Sequence, residues 1–486
     1  MSVCSPAFLA FCCLGPILFH AVRPKLWRQV LFTLFNLGFL LGLVSDWKSW
    51  VCLLTFVLGS YGIVQLLHRT TPRFFVLSVI GLFVAAFVLI KRYSFLDAIL
   101  PVGFFWHPLD VIGLSYILFK VIHVLVDRWE ETLDPCPFWS YVNYQLSLFT
   151  IIAGPIQRYN DFYRFWEEMG LSPADKKAVL QSWIRLLTGM LKIGVVAALA
   201  SSAFNQGLQS LQAMDGEPRQ FSSIFYGFPI YLYFNFSGYT DVVVGAASLF
   251  GFRLPENFNH PYLARNIIDF WNRWHITLTH WIRDYVFMTS YKAVAERLPQ
   301  YRQLAGYLIA FVALLIAGLW HGAAGGFAFF GAIHGLGIAA NQAGADLLRS
   351  FLGGAGYRRY QQNGLVRAVA VLATFHYVCF AFLFFSLDSA GALHFLATVA
   401  RDSAQPGWWP EMLPAARWLL IALVTLAVFF SRQSIFTRIG TTVNAVAEKN
   451  GSLYLVLIGE AVFTAGVMFA LWAFQQSDPV IVYMKY

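Results

Sequence analysis

The chain has 486 residues, of which 58% are apolar and 12% charged, roughly half the charge fraction of a water-soluble domain. A soluble globular protein is excluded, and the aromatic load of 17%, with 47 Phe, 22 Tyr and 16 Trp, suits lipid-facing surfaces with interfacial belts. The net charge of +9 comes from basic residues that fall mostly between apolar runs, so they read as topology signals and not as a nucleic-acid surface.

In chain order, the first apolar run, 6–22, has no basic stretch before it and is followed by Arg23, Lys25 and Arg28, which predicts a retained span and not a cleaved signal peptide. That cluster and a second one at 68–73 bracket a nearly neutral turn around Asp46 and Lys48, placing the N-terminus outside by the positive-inside rule. Further runs fall near 29–45, 50–67, 74–90, 109–126, 138–153, 183–205, 221–236, 238–253, 304–322, 325–342, 365–386, 415–431 and 453–474, giving about eleven to fourteen membrane segments. The run 138–153 and the pair across Gly238 are short or polar and are expected to be re-entrant, lining a cavity where irregular backbone is tolerated.

The hydrophilic stretches 155–182, 254–303, 343–364 and 401–414 leave no soluble module, and no internal repeat is visible. The expected architecture is an all-α polytopic membrane protein, a single integral membrane domain over 1–486. Cys4, Cys12, Cys13, Cys52, Cys136 and Cys379 lack the spacing of a disulfide framework or a thiolate metal site and are expected to be free thiols.

The stretch 254–290 is unlike the rest. A turn-rich loop at 254–261 carries two prolines and two asparagines, and a run from 263 to 288 then predicts one amphipathic interfacial helix. Trp271, Trp274, Leu278, Trp281, Ile282 and Tyr285 share one face at helical spacing. Asn272, His275, Thr279 and Arg283 form one polar line, and Arg273, Thr277, His280 and Asp284 an adjacent one. Such a helix can equally be a surface element without chemistry.

Inside the hydrocarbon, Leu319-Trp320-His321-Gly322 ends an apolar run. An imidazole at that depth is costly unless it meets water, a ligand or a partner, and its reference pKa of about 6.5 suits a general base at neutral pH. A helix–helix hydrogen bond is the structural alternative. His334 follows thirteen positions later, about 220° round and roughly 20 Å along an unbroken helix. Either the intervening glycines break that helix or His334 has a separate role. His20, His68, His107, His376 and His394 read as structural, whereas His123, near Lys120 and Asp127, is a candidate cavity-lining group. A metal site from His275, His280 and His321 lacks a local His-x-x-His or carboxylate pattern, so none is expected.

Asp269-Phe270-Trp271-Asn272-Arg273-Trp274-His275, then Arg283-Asp284-Tyr285, Gly318-Leu319-Trp320-His321-Gly322 and His334-Gly335 together resemble the signature of the membrane-bound O-acyltransferase family. Phe236-Ser237-Gly238-Tyr239-Thr240-Asp241, the stretch 252–261 and Ala153-Gly154-Pro155-Ile156-Gln157-Arg158-Tyr159 resemble its bacterial branch of alginate O-acetyltransferases and teichoic-acid D-alanyl transferases. The resemblance covers about 110–342, with additional C-terminal spans about 365–474. It implies a ring of helices around a thinned core with a through-tunnel, a catalytic His321, and His275 at the upstream His or Asn position.

Two features bear on the substrate. After Met288 the chain reads Thr289-Ser290-Tyr291-Lys292, closer to the D-alanyl branch, whereas its later spans and the aromatic tail 480–486 resemble the alginate-type proteins. The resemblance therefore implies an acyl group, acetyl foremost, moved from a cytoplasmic thioester, acetyl-CoA or an acyl carrier protein, to hydroxyls of an extracytoplasmic polysaccharide, with no bound cofactor. Because no esterase-like domain is visible, an extracytoplasmic relay or esterase-like partner protein is expected, in a bacterial inner membrane. Asn272, a protonated His275 and the indole N–H groups of Trp274 and Trp320 are candidate oxyanion donors; Arg273 and Arg283, with Asp284 beside them, are candidate contacts for a phosphate-bearing donor. D-alanyl transfer to a cell-envelope polymer, a non-enzymatic transporter or flippase, and a silent assembly subunit are the competing readings.

Overall fold

The computed structural model describes residues 5–44, 46–91, 113–169, 176–213, 218–322 and 325–403. The expected spans 415–431 and 453–474, the aromatic tail and His107 lie outside them. Helices α1 (Pro6–Ala21), α2 (Lys25–Leu43), α3 (Trp47–Leu66) and α4 (Arg73–Lys91) match the first four runs, because apolar stretches of this length satisfy their own backbone only as helices. Their starts follow capping chemistry: the Ser5 hydroxyl accepts from Phe8 N ahead of Pro6, and the Asp46 carboxylate accepts from Ser49 N at 2.9 Å. In Arg73–Ile90 only 17% of the most apolar window is buried within the protein, so most of its surface is left for lipid.

Next come α5 (Leu114–Trp129), α6 (Phe138–Gln145), α7 (Tyr159–Glu168) and α8 (Lys176–Leu191). Eleven residues of α5 are buried, so the run at 109–126 packs against protein instead of facing lipid. The run at 138–153 yields only the eight residues of α6 followed by turns, too short to cross a bilayer. A π-helical segment, Lys192–Ala197, joins α8 to α9 (Ala198–Ala213), and the helix α10 (Pro218–Leu249) follows. The expected pair of segments across Gly238 is a single 32-residue helix. Gly238 serves packing: a Cβ there would stand 2.7 Å from the Gly189 carbonyl oxygen, so glycine lets α10 and α8 touch at the backbone.

The remaining elements are α11 (Ile267–Trp271), α12 (Ile276–Trp281), a second π segment (Ile282–Phe287), α13 (Met288–Arg297), α14 (Arg302–His321), α15 (Gly325–Gln362), α16 (Gly364–Ser386) and α17 (Ser389–Asp402). Among the described residues six helices are long and apolar enough to cross a membrane: Lys25–Leu43, Trp47–Leu66, Arg73–Ile90, Lys177–Leu211, Pro299–His321 and Gly364–Ser386. The protein is an all-α integral membrane protein.

The described residues divide into two compact units, one drawn from the stretches up to 194 and 236–256, the other from 195–235 and from 257 onward. In the first, Lys120 is buried and its ammonium donates to the Tyr144 and Gln145 carbonyls at 2.8 and 3.2 Å and to the Thr150 hydroxyl at 2.8 Å. His123 Nε2 accepts from Tyr159 N at 3.3 Å and lies 2.9 Å from the Tyr144 hydroxyl. This knot ties the end of α6, Thr150 beyond it and the start of α7 onto α5, which makes His123 part of the architecture. His20 likewise meets the Leu249 carbonyl at 2.9 Å. In the second unit α14 packs along α15, and α15 along α16. Gly331 sits at the crossing: a Cβ would approach the Leu314 carbonyl oxygen to 2.7 Å.

Candidate active site

The stretch 263–288 is not one helix. Asn266 caps α11 by accepting from Asp269 N at 2.8 Å, and the helix ends one turn later at Asn272. His275 then takes φ 43° and ψ 53°, a left-handed conformation that costs a non-glycine residue about 1–2 kcal/mol and stops the helix before α12 begins. Tertiary bonding outweighs the periodicity. Phe258 pairs with Trp274 as an antiparallel bridge, and Asn259 N donates to the Arg273 carbonyl at 2.9 Å.

Asn257, fully buried, starts α12 from outside: its carbonyl accepts from Ile276 N at 3.0 Å and its side-chain oxygen from Thr277 N at 3.2 Å and the Thr277 hydroxyl at 2.6 Å. The bonds from Ile276 N and Thr277 N satisfy two of the N–H groups that a helix start leaves open. The residue at the cap position, His275, makes no capping bond itself, so its side chain is released from that duty. The break also changes the aromatic face. Trp271, Trp274, Leu278, Trp281 and Ile282 are all buried, as core residues and not interfacial anchors.

The expected polar lines separate. His275 and Thr277 turn inward, whereas Asn272 and Arg283 are exposed. Arg273 donates through Nε to Asp269 Oδ1 at 2.8 Å and through Nη1 to the Asn259 carbonyl at 3.3 Å, while Asp269 Oδ2 accepts from Arg265 N at 3.0 Å. Partial burial would raise the Asp269 carboxyl, but the hydrogen bonds from Arg273 and Arg265 outweigh it and hold the group below the usual carboxylate range. Arg283 pairs with its neighbour Asp284 at 2.9 Å. Both arginines named as donor contacts thus have carboxylate partners within the stretch 263–288.

The imidazoles gather where the sequence left two options open. α14 ends at His321, Gly322 breaks the chain's direction, and α15 returns from Gly325, so the helix does break and His334 comes back beside the same rings. His321 is buried, with ring centroids 4.6 Å from Trp320, 5.0 Å from Phe385 and 6.3 Å from Phe330. Phe330 lies 4.5 Å from His334 and so bridges the two histidines. His275 is within electrostatic reach of His321; burial first and that neighbour second hold its imidazole down, at about 3, so it is neutral at pH 7. A protonated His275 donor, as the sequence suggested, is disfavoured by this burial.

His334 is fully buried, stacked on Phe270 at 5.9 Å and edge-on to Trp271 at 5.1 Å. Among the described residues neither ring nitrogen of His334 nor the indole N–H of Trp271 has a hydrogen-bond partner. Each such group costs about 1–3 kcal/mol when buried without a partner, so these atoms are where water or polar substrate atoms find hydrogen bonds. Sequence reasoning did not single out Trp271 for chemistry, and Asn257 was seen only as a turn residue. The Asp269–Arg273 pair was legible as an i,i+4 contact; the Asn257 clasp, twenty residues from Thr277, had no local signal.

An all-α membrane protein with two close imidazoles in an aromatic enclosure defines a class, and its family is established by comparison. The profile of the membrane-bound O-acyltransferase family matches residues 99–384, so the chain belongs to that family and is an O-acyltransferase. The chain is 29% identical to a teichoic acid D-alanyltransferase of Bacillus subtilis over 58% of its own length and 70% of that protein. It is 26% identical to a peptidoglycan O-acetyltransferase of Helicobacter pylori over 79% of its length and 75% of that protein. It is also 32% identical to a probable alginate O-acetylase AlgI of Pseudomonas aeruginosa over 49% of its length and 44% of that protein.

Proposed function

We propose that this enzyme moves an acyl group, acetyl foremost, from a cytoplasmic acyl thioester toward hydroxyls of an extracytoplasmic polysaccharide, with the whole chain acting as one acyltransferase domain. The observation that carries this reading is the gathering of His321 and His334 about the Phe330 ring at the end of a membrane-spanning helix, with the buried His275 within electrostatic reach of His321. A thioester is already activated, so the protein must orient the reactants, remove one proton and steady the oxyanion.

In this reading His321 takes the proton of the acceptor hydroxyl as its oxygen attacks the thioester carbonyl. The tetrahedral adduct collapses with cleavage of the carbon–sulfur bond, and the thiolate recovers the proton from His321, leaving an ester and a free thiol. His275, neutral, donates a hydrogen bond, and Trp271 and His334 receive polar atoms of the substrate that water would otherwise solvate. Trp274 and Trp320 wall the chamber. The first hydroxyl belongs to the glycan or to an extracytoplasmic relay protein in the inner membrane's outer compartment.

A D-alanyl donor and a cell-envelope acceptor form the second reading, favoured by the match to the Bacillus subtilis protein. Mass spectrometry of surface polymers from cells carrying His321→Ala as their only copy, at equal protein abundance, tests both. Loss of an ester of acetyl mass supports the first, loss of a D-alanyl ester the second, and survival of every ester overturns both.

A further inference from the structure

α15 is gripped from two sides, and His334 falls in the gap between the grips. At about 100° per residue, Gly326 and Gly337 point within about 20° of each other and meet α16, where a Cβ on Gly326 would run into the Phe384 carbonyl oxygen and one on Gly337 into the Tyr377 hydroxyl. Gly331 and Gly335 point about 150° further round and meet α14 at the carbonyl oxygens of Leu314 and Phe311. His334 lies about midway between those two faces, which aims its imidazole at the enclosure of Phe330 and Phe382. Small residues let the backbones come close, but a glycine contact is smooth and fixes neither the rotation nor the height of a helix.

A directional contact does fix them. Tyr377, near the middle of α16, donates its hydroxyl hydrogen to the Ile333 carbonyl. Ile333 immediately precedes His334, and the Tyr377 ring stands edge-on to the imidazole, with centroids 6.4 Å apart and an interplanar angle of 86°. Gly337, one turn on, makes the approach possible, since a Cβ there would stand 2.6 Å from the Tyr377 oxygen. Another polar tie on α15, Asp346 accepting from Tyr307 and Gln303 of α14, lies roughly 18 Å further along the helix. A tyrosine inside a helix bundle finds a hydrogen-bond partner as a rule, and such bonds join helices generally. What sets this one apart is that the carbonyl it takes belongs to the backbone carrying a buried ring whose own nitrogens are left unbonded among the described residues.

We propose that Tyr377 is a positioning residue for acyl transfer: its bond to Ile333 sets the rotation and height of α15 at which His334 offers its ring nitrogens to the polar atoms of the substrate. The proposal rests on the acyltransferase reading above and adds to it a residue that acts without touching the substrate. α16 then contributes to the reaction through the backbone of α15. Without the hydroxyl the glycine faces still hold the helices together, but the imidazole turns away from its working setting, and a misplacement on the order of 1 Å is enough to cost much of a rate.

The test is a double-mutant cycle on the full chain, expressed as the only copy in the cell and read as the initial rate at which ester appears on the surface polymer, by mass spectrometry, divided by the amount of folded protein in the membrane. Tyr377→Phe removes one oxygen and keeps the ring. It is expected to lower the rate about three- to tenfold, with the melting temperature in detergent within about 2 °C of wild type, since an interhelical bond of this kind contributes little to stability. His334→Phe is expected to lower the rate further, and adding Tyr377→Phe to it to change nothing more, because the ring being positioned is gone. Multiplied losses in the double variant make Tyr377 an independent structural residue and overturn the proposal, as does a Tyr377→Phe rate equal to wild type. An unchanged rate in His334→Phe overturns it too, and withdraws His334 from the mechanism while leaving His321 in place. A rate that survives His321→Ala defeats the acyltransferase reading itself, whereas loss in His321→Ala with no effect of Tyr377→Phe defeats only the positioning role.

Discussion

Two buried polar regions of this protein solve the same solvation problem in opposite ways. Around Lys120 every ammonium proton has a protein acceptor, two carbonyls and a hydroxyl, and the adjoining His123 is bonded to Tyr159 and Tyr144. Around His334 the ring nitrogens and the neighbouring indole N–H are equally buried yet have no bond among the described residues. The fully bonded ammonium of Lys120 holds backbone in place and has nothing left to offer a substrate. An unbonded group costs stability and keeps its hydrogen-bonding capacity for something that arrives.

Substitutions can break that contrast. The largest effect is expected at His321, where His321→Ala should lower acyl transfer by about 100- to 10,000-fold, the usual worth of a general base, with little change in thermal unfolding. Ester formation per folded molecule measures the first, and a melt in detergent the second. His334→Phe should cost about tenfold to a hundredfold in kcat and leave the melting temperature equal or higher, because it replaces two unbonded polar atoms by a ring of similar shape. A lower melting temperature with unchanged kcat would make His334 a structural residue.

Lys120→Met should behave in reverse. It strands two carbonyls and a hydroxyl, for a loss of about 3 kcal/mol in stability, with kcat per folded molecule unchanged. Asn257→Ala removes the external start of α12 and should cost about 1–2 kcal/mol, with a modest drop in kcat as His275 loses its fixed position.

The smallest effect belongs to Asp269. Its carboxyl titrates below the usual range in the folded protein, so the clasp contributes stability above the ordinary carboxylate pKa of about 4 and loses it as pH falls through the lowered folded value. The difference in melting temperature between wild type and Asp269→Asn should therefore be present at pH 7 and shrink on acidification. A gap constant down to pH 3 would mean that the clasp holds through geometry alone.

Much of this was legible along the chain. Apolar run length located the first four helices, α14 and α16, since a stretch of that length in lipid has no alternative to a helix. The motif around His275 and His321 named the family. Local reading failed where distant groups outbid periodicity. From 263 to 288 the spacing of Trp271, Trp274 and Trp281 is that of one helix, but the Phe258–Trp274 bridge and the Asn257 clasp draw the backbone into a left-handed turn at His275. The same limit applies at Gly238, where glycine looked like a break and is instead a contact point between helices.

Composition and run length by themselves determined an all-α membrane protein, because the bilayer permits few ways to satisfy a backbone. The order of motifs determined that a histidine ends α14. Only the tertiary structure decided that His334 returns to the same aromatic enclosure as His321, that Asn257 clasps Thr277 from twenty positions away, and that Arg265 and Arg367 share one groove. Those facts depend on contacts between residues tens to a hundred positions apart, and side-chain spacing along a single helix carries no record of them.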